Sequence, residues 1–151
     1  MAAKLPARIP TPCIGVCSTG IGDTVCRGCK RYADEVIHWN SYGEAEKRAV
    51  IRRLDQLLAQ VMDAKLAIVD PQRLESRLQA SGVRYPAHRS PHTWLLELLR
   101  VAASQIGDSR DFGFELEPGY RLVELGALRQ QIEHEYYLLS EAHYQRYVSP
   151  A

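Results

Sequence analysis

Residues 41–61 read SYGEAEKRAVIRRLDQLLAQV, and this stretch decides the fold. Ser41 and Glu44 have the spacing of a capping box, in which a hydroxyl and a carboxylate satisfy N–H groups at a helix start. Ala49, Val50, Leu54, Leu57, Leu58 and Val61 then recur at three- and four-residue intervals, with Lys47, Arg48, Arg52, Arg53 and Asp55 on the opposite side. That is the pattern of an amphipathic helix, which must bury its apolar stripe against other elements.

Further helices are legible on either side. Upstream, Tyr32, Val36 and Trp39 predict one face of a short helix over 30–39. Downstream, Asp70-Pro71 pairs an N-cap with Pro at the first helical position, before Leu74 and Leu78, with Gly82 beyond the end. Ser90-Pro91 repeats the device ahead of HTWLLELLRVAASQI, which stops at Gly107. Phe112, Phe114 and Leu116 alternate, as in a short strand or an ordered loop. From Tyr120 to about Tyr147 a long helix is expected, with Leu125, Leu128, Ile132, Tyr136 and Leu139 along one seam. The fold class is therefore mainly α: an N-terminal four-cysteine loop followed by a small helical domain of about five helices. Residues 1–12 read as a flexible leader, 13–63 as the cysteine loop with a helix pair, and 64–151 as a C-terminal helical lobe, with a soft boundary near 63–70.

Composition narrows the function classes. The chain has 151 residues, 46% hydrophobic and 25% charged, which suffices for a globular core. Its formal net charge of +1 gives no electrostatic footprint for nucleic acid or an anionic membrane. No stretch reaches the roughly 20 apolar residues of a membrane span; Trp94 to Ile106 comes nearest and is broken by Glu97 and Arg100. MAAKLPARIPTPC lacks the apolar run of a secretory leader, so a cytoplasmic protein is expected.

In a reducing cytoplasm, four cysteines within one short loop need an explanation other than disulfides. Cys13, Cys17, Cys26 and Cys29 are spaced C-x3-C-x8-C-x2-C. Gly15, Gly20, Gly22 and Gly28 between them permit the tight turns of a chain wrapped around a metal. Thiolates select zinc, copper(I) or iron–sulfur clusters over hard cations. The spacing fits neither a standard zinc finger nor the bacterial ferredoxin run, so it points to metal without naming which. Unliganded cysteines or a labile disulfide are the plain alternative. A dithiol redox motif is another, but no strand precedes Cys26 as such motifs require. Metal is the preferred reading.

Thr11-Pro12-Cys13-Ile14-Gly15-Val16-Cys17, Cys26-Arg27-Gly28-Cys29, Arg31, Asp34-Glu35-Val36 and Trp39 together resemble the bacterial family called domain of unknown function 1289. The resemblance covers about residues 11–60. It departs at Lys30 and Tyr32, where members often have small residues, and at Asn40-Ser41-Tyr42. What it implies is a short cytoplasmic metal-binding protein, described in that family as iron–sulfur, with no established reaction. Zinc and an iron–sulfur cluster stand about equal. Around either, Arg27, Lys30 and Arg31 would offset thiolate charge, while Tyr32, Val36 and Trp39 would limit solvent access. Trp39 is expected above all to anchor the short helix on the next one.

Other polar residues read more plainly. His38 is a surface histidine rather than a fifth ligand, and His88 and His92 serve the loop around Ser90-Pro91. Glu133, His134, Glu135, Glu141 and His143 lack the Glu-x-x-His pairing of a di-iron bundle and read as a solvated face. Tyr136, Tyr137, Tyr144 and Tyr147 pack on the core or form a strip for a partner protein, with packing preferred. No nucleophile triad, P-loop or dinucleotide fingerprint occurs. The expected function is a non-catalytic metal-binding adaptor whose ordered loop recognises another protein. An iron–sulfur electron-transfer or redox-sensing protein is the alternative. Nucleic-acid binding through Arg48, Arg52 and Arg53 ranks third.

Overall fold

A computed structural model describes residues 9–148 apart from Val16. Its elements, in chain order, are α1 (Ala33–His38), α2 (Glu44–Asp63), β1 (Leu66–Ile68), α3 (Pro71–Ala80), α4 (Pro91–Ala102), β2 (Phe114–Leu116) and α5 (Leu125–Tyr147), with short 3-10 turns between them. The mainly α class with five helices is as the periodicity predicts, and a two-stranded sheet stands beside them. Among the described residues no helix is long and apolar enough to cross a membrane.

The chain divides into two units: residues 1–57 with 134–151, and residues 58–133. In the first, α1 is shorter than expected. Its entry is held by the Glu35 carboxylate, which accepts the Tyr32 N–H at 2.9 Å. The expected cap at Ser41 does not form. A 3-10 turn, Trp39–Ser41, continues from α1, and the Ser41 hydroxyl turns back to the His38 carbonyl at 2.7 Å. Gly43 begins α2 instead, its carbonyl accepting the Lys47 N–H at 3.1 Å. Glu44 is thereby freed to accept the Ile9 N–H at 2.7 Å.

Trp39 anchors as expected: with Ile9, Val50, Ile51 and Leu54 it forms a buried cluster, and Tyr42 packs on it. Ile9 and Trp39 sit on the Ile51 side of α2, so Ile51 is buried and Ala49 is left exposed, the reverse of the linear reading. Of the expected flexible leader, residues 1–8 lie outside the described residues, while Ile9 and Pro12 are buried.

In the second unit Asp70 caps α3 as predicted, accepting the Arg73 N–H at 3.0 Å. Leu74, Leu78, Leu95, Leu98, Phe114 and Leu128 are fully buried there. β2 pairs antiparallel with β1 in the register Leu66–Leu116, Ala67–Glu115, Ile68–Phe114. β1 falls where only a boundary was expected. Gly113, at φ +79°, lies so close to α3 that a Cβ there would stand 2.3 Å from the Asp70 carbonyl oxygen.

Candidate metal centre

Cys26 and Cys29 sit on a tight hairpin. The Cys26 N–H donates to the Arg31 carbonyl and the Ala33 N–H to the Thr24 carbonyl, each at 2.8 Å, and the Lys30 N–H closes the turn on the Cys26 carbonyl at 2.8 Å. The two side chains are buried and in contact. Burial works against ionising Cys26, but the backbone amides of Cys29, Ser18 and Gly28 and the Cys29 thiol outweigh it, lowering its pKa to about 7. Burial pushes the Cys29 thiol up, against the pull of Arg31, whose Nε donates to its sulfur at 3.3 Å.

The other two cysteines are exposed. Cys13 Sγ accepts the Gly15 N–H at 3.4 Å, and Cys17 Sγ shares a 3.2 Å hydrogen bond with the Thr19 hydroxyl. The structure thus brings Cys26 and Cys29 together and does not bring Cys13 and Cys17 to them. Among the described residues no three Cys, His, Asp or Glu side chains are grouped so as to hold a metal ion.

Three cations, Arg27, Lys30 and Arg31, lie on or beside the hairpin, and of these Arg31 reaches a sulfur. Arg31 is 3% exposed, and its guanidinium lies 5.1 Å from the Trp39 ring centroid. Arg27 lies over Tyr137 at 4.9 Å and pairs with Asp23. Lys30 lies against Tyr136 at 5.1 Å. Arg53 departs from its expected place among the outer charges of α2. It forms a two-pronged pair with Glu35 at 2.6 and 2.5 Å and covers the Tyr32 ring at 3.9 Å. Such a pair, largely withdrawn from water, ties α1 to α2.

Of the tyrosine-rich tail, Tyr136, Tyr137 and Tyr144 pack onto this unit, the preferred of the two readings, while Tyr147 stays exposed. The Tyr136 hydroxyl donates to the Leu54 carbonyl at 3.2 Å, and Tyr144 meets Tyr32 edge-on at 5.1 Å. His143, read as part of a solvated face, is instead hydrogen-bonded through Nδ1 to the Tyr32 hydroxyl at 2.8 Å. His38 is exposed and bonded to the Asp34 carbonyl, and His92 pairs with Asp63 at 2.7 Å, so neither joins the sulfurs. Tyr136 and His143 are the residues linear reading missed as neighbours of the hairpin. Their partners lie too far along the chain for periodicity to signal them.

His143 carries a pH prediction. Burial first, and then the Arg53 charge, lower its pKa below the ordinary 6.5 or so. Charging it is therefore harder in the folded protein than in the unfolded chain. Its contribution is complete above about pH 6.5 and is lost as pH falls through the lowered value. Tyr32, Arg53 and Tyr147 surround it, with no carboxylate in direct contact among the described residues. Protection of residues 134–147 against hydrogen exchange, taken relative to the intrinsic amide rate at each pH, is expected to fall from pH 7.5 to pH 5.5, about one unit either side of 6.5. His143→Phe is expected to flatten the profile; an unchanged slope would assign it to other groups.

Comparison with known proteins covers the same front segment. The family described as "Protein of unknown function (DUF1289)" matches residues 11–58. Uncharacterized protein YdhL of Escherichia coli strain K12 is 36% identical over 56 residues, covering 37% of this chain and 70% of YdhL. YdhL of Shigella flexneri gives the same figures, 36% over 56 residues. YdhL of Escherichia coli O6:H1 is 38% identical over 50 residues, covering 33% of this chain and 62% of its own. No solved structure matches the chain. With a relative of that identity matched over more than two thirds of its length, the chain belongs to the DUF1289 family.

Proposed function

We propose that the chain is a non-catalytic metal-binding adaptor, in which Cys13, Cys17, Cys26 and Cys29 hold a zinc ion or an iron–sulfur cluster and the ordered loop recognises another protein. The observation that carries this reading is the polar surrounding of the sulfurs. Cys13 and Cys26 each accept a backbone N–H from two residues ahead, Cys26 also accepts those of Ser18 and Cys29, and Cys29 accepts from Arg31. At Cys26 these donors outweigh burial and favour the thiolate, the form that binds metal.

The donor set suits a soft metal in chemistry, and the Cys26–Cys29 hairpin suits it in shape. The reading further requires Cys13 and Cys17 to converge on that pair. The bound group would supply local order that this loop, with few buried side chains, does not have by itself.

Electron transfer or redox sensing is the second reading. It is favoured by the same donors and by the Arg31 charge beside Cys29, since hydrogen bonds to sulfur and local charge tune cluster potentials. Nucleic-acid binding loses support, because Arg53 is committed to Glu35.

Elemental analysis and a visible spectrum of protein purified anaerobically, without added metal, test the proposal. One zinc per chain and no colour are expected for the structural form. Iron with acid-labile sulfide and a spectrum that bleaches on reduction would favour the redox form. Protein without either metal, unable to take up zinc or be reconstituted with iron and sulfide, would overturn both.

A further inference from the structure

Lys30 is the only non-glycine among the described residues with φ in the left-handed region, at +67°. There a Cβ crowds the following carbonyl, so glycine is the natural occupant of such a turn. A strained conformation that persists invites the question of what the side chain does. This side chain is buried, with the residue 2% exposed. Its Nζ donates to the Arg27 carbonyl at 2.6 Å and to the Gly28 carbonyl at 3.1 Å.

Those two carbonyls belong to particular peptide planes. The Arg27 carbonyl shares a plane with the Gly28 N–H, and the Gly28 carbonyl with the Cys29 N–H. In a trans peptide the carbonyl and the N–H point to opposite sides. An ammonium that draws both carbonyls to one side turns both N–H groups to the other, and both of these reach Cys26 sulfur. The Tyr136 ring, 5.1 Å from Nζ, supports the ammonium from α5.

We propose that Lys30 is a positioning residue of the sulfur site: its ammonium fixes the two peptide planes whose N–H groups serve Cys26, and Tyr136 holds the ammonium in place. The inference rests on the reading of Cys26 as a metal ligand. Lysine at position 30 then exchanges an easy backbone for a buried ammonium bonded to two carbonyls of the cysteine turn.

Two variants separate these contributions. Lys30→Gly relieves the backbone and removes the ammonium; Lys30→Met keeps the stem and removes only the charge. Hydrogen exchange at the Gly28 and Cys29 amides is read against the amides of α2 in the same sample. In both variants exchange at those two amides is expected to rise about tenfold while α2 stays unchanged. Transfer of bound zinc or iron to a chelator is expected to quicken by about 10- to 100-fold, the usual effect of losing a group that orients a ligand.

Wild-type exchange and metal retention in Lys30→Gly would overturn the proposal, leaving Lys30 a replaceable turn residue. So would exchange rising equally in α2, or loss of helical circular dichroism in both variants, since either makes Lys30 a general fold residue. If the wild-type protein holds no metal yet the two amides loosen selectively, the metal reading fails while the orienting of the Cys26 amides stands.

Discussion

Cys26→Ser is expected to abolish metal binding and disorder the loop around residues 13–29 while α2 remains helical. Cys26 is the most heavily served sulfur, accepting amides from Ser18, Gly28 and Cys29. A serine oxygen keeps some of those bonds but is a poor ligand for zinc or iron in a sulfur set. A metal held as proposed would contribute on the order of several kcal/mol to local folding, because the loop buries little. α2 rests on Trp39, Val50, Ile51 and Leu54, none of which requires the metal. Metal content is expected to fall below about a tenth of wild type, with helical circular dichroism nearly preserved. A Cys26→Ser protein with full metal content and an unchanged loop would remove Cys26 from the ligand set.

The second large effect is expected far from the cysteines, at Gly113. An added Cβ would stand 2.3 Å from the Asp70 oxygen and 3.1 Å from the Leu74 nitrogen, both backbone atoms. Backbone cannot rotate aside as a side chain can. The Gly113 carbonyl also accepts the N–H groups of Val69 at 2.9 Å and Asp70 at 3.0 Å, fixing its place. Left-handed strain and forced separation together put the cost of Gly113→Ala at about 4 kcal/mol. For a chain of this length that lowers the melting temperature by about 8–16 °C. Gly113→Asn distinguishes the two contributions, because asparagine accepts positive φ but carries the same Cβ. It is expected to be nearly as damaging as alanine. Asparagine restoring most of the stability would show that the backbone angle, not the contact, dominates; an unchanged melting temperature in Gly113→Ala would refute both.

What sequence revealed and what it hid follow a common physical line. Period and cap geometry are local, and so α2, the Asp70 cap and the buried seam of Leu128, Ile132 and Tyr136 were legible. The cap at Ser41 was misread because the 3-10 turn after α1 claims its hydroxyl first, a competition that spacing does not encode. β1 was invisible, since three residues Leu66–Ile68 have strand character only through pairing with Phe114–Leu116. The glycine between Phe112 and Phe114 did carry a signal, as an isolated glycine in an alternating run often marks close backbone approach. Four cysteines announced a sulfur site, but the closeness of Cys26 and Cys29 depends on a turn held by Lys30. Tyr32 and His143, 111 residues apart, meet with no local pattern to foretell it.

The return of α5 to the first unit also sets an order of events during synthesis. The cysteine hairpin leaves the ribosome before Tyr136, His143 and Tyr144 are translated. At about 5–20 residues per second, roughly a hundred intervening residues leave the hairpin uncovered for about 5–20 s. During that interval its thiols and the Lys30 ammonium face solvent without their aromatic cover. Access to the hairpin sulfurs is therefore widest before residues 134–147 emerge, and the packing of Tyr136 and Tyr144 onto the hairpin narrows it.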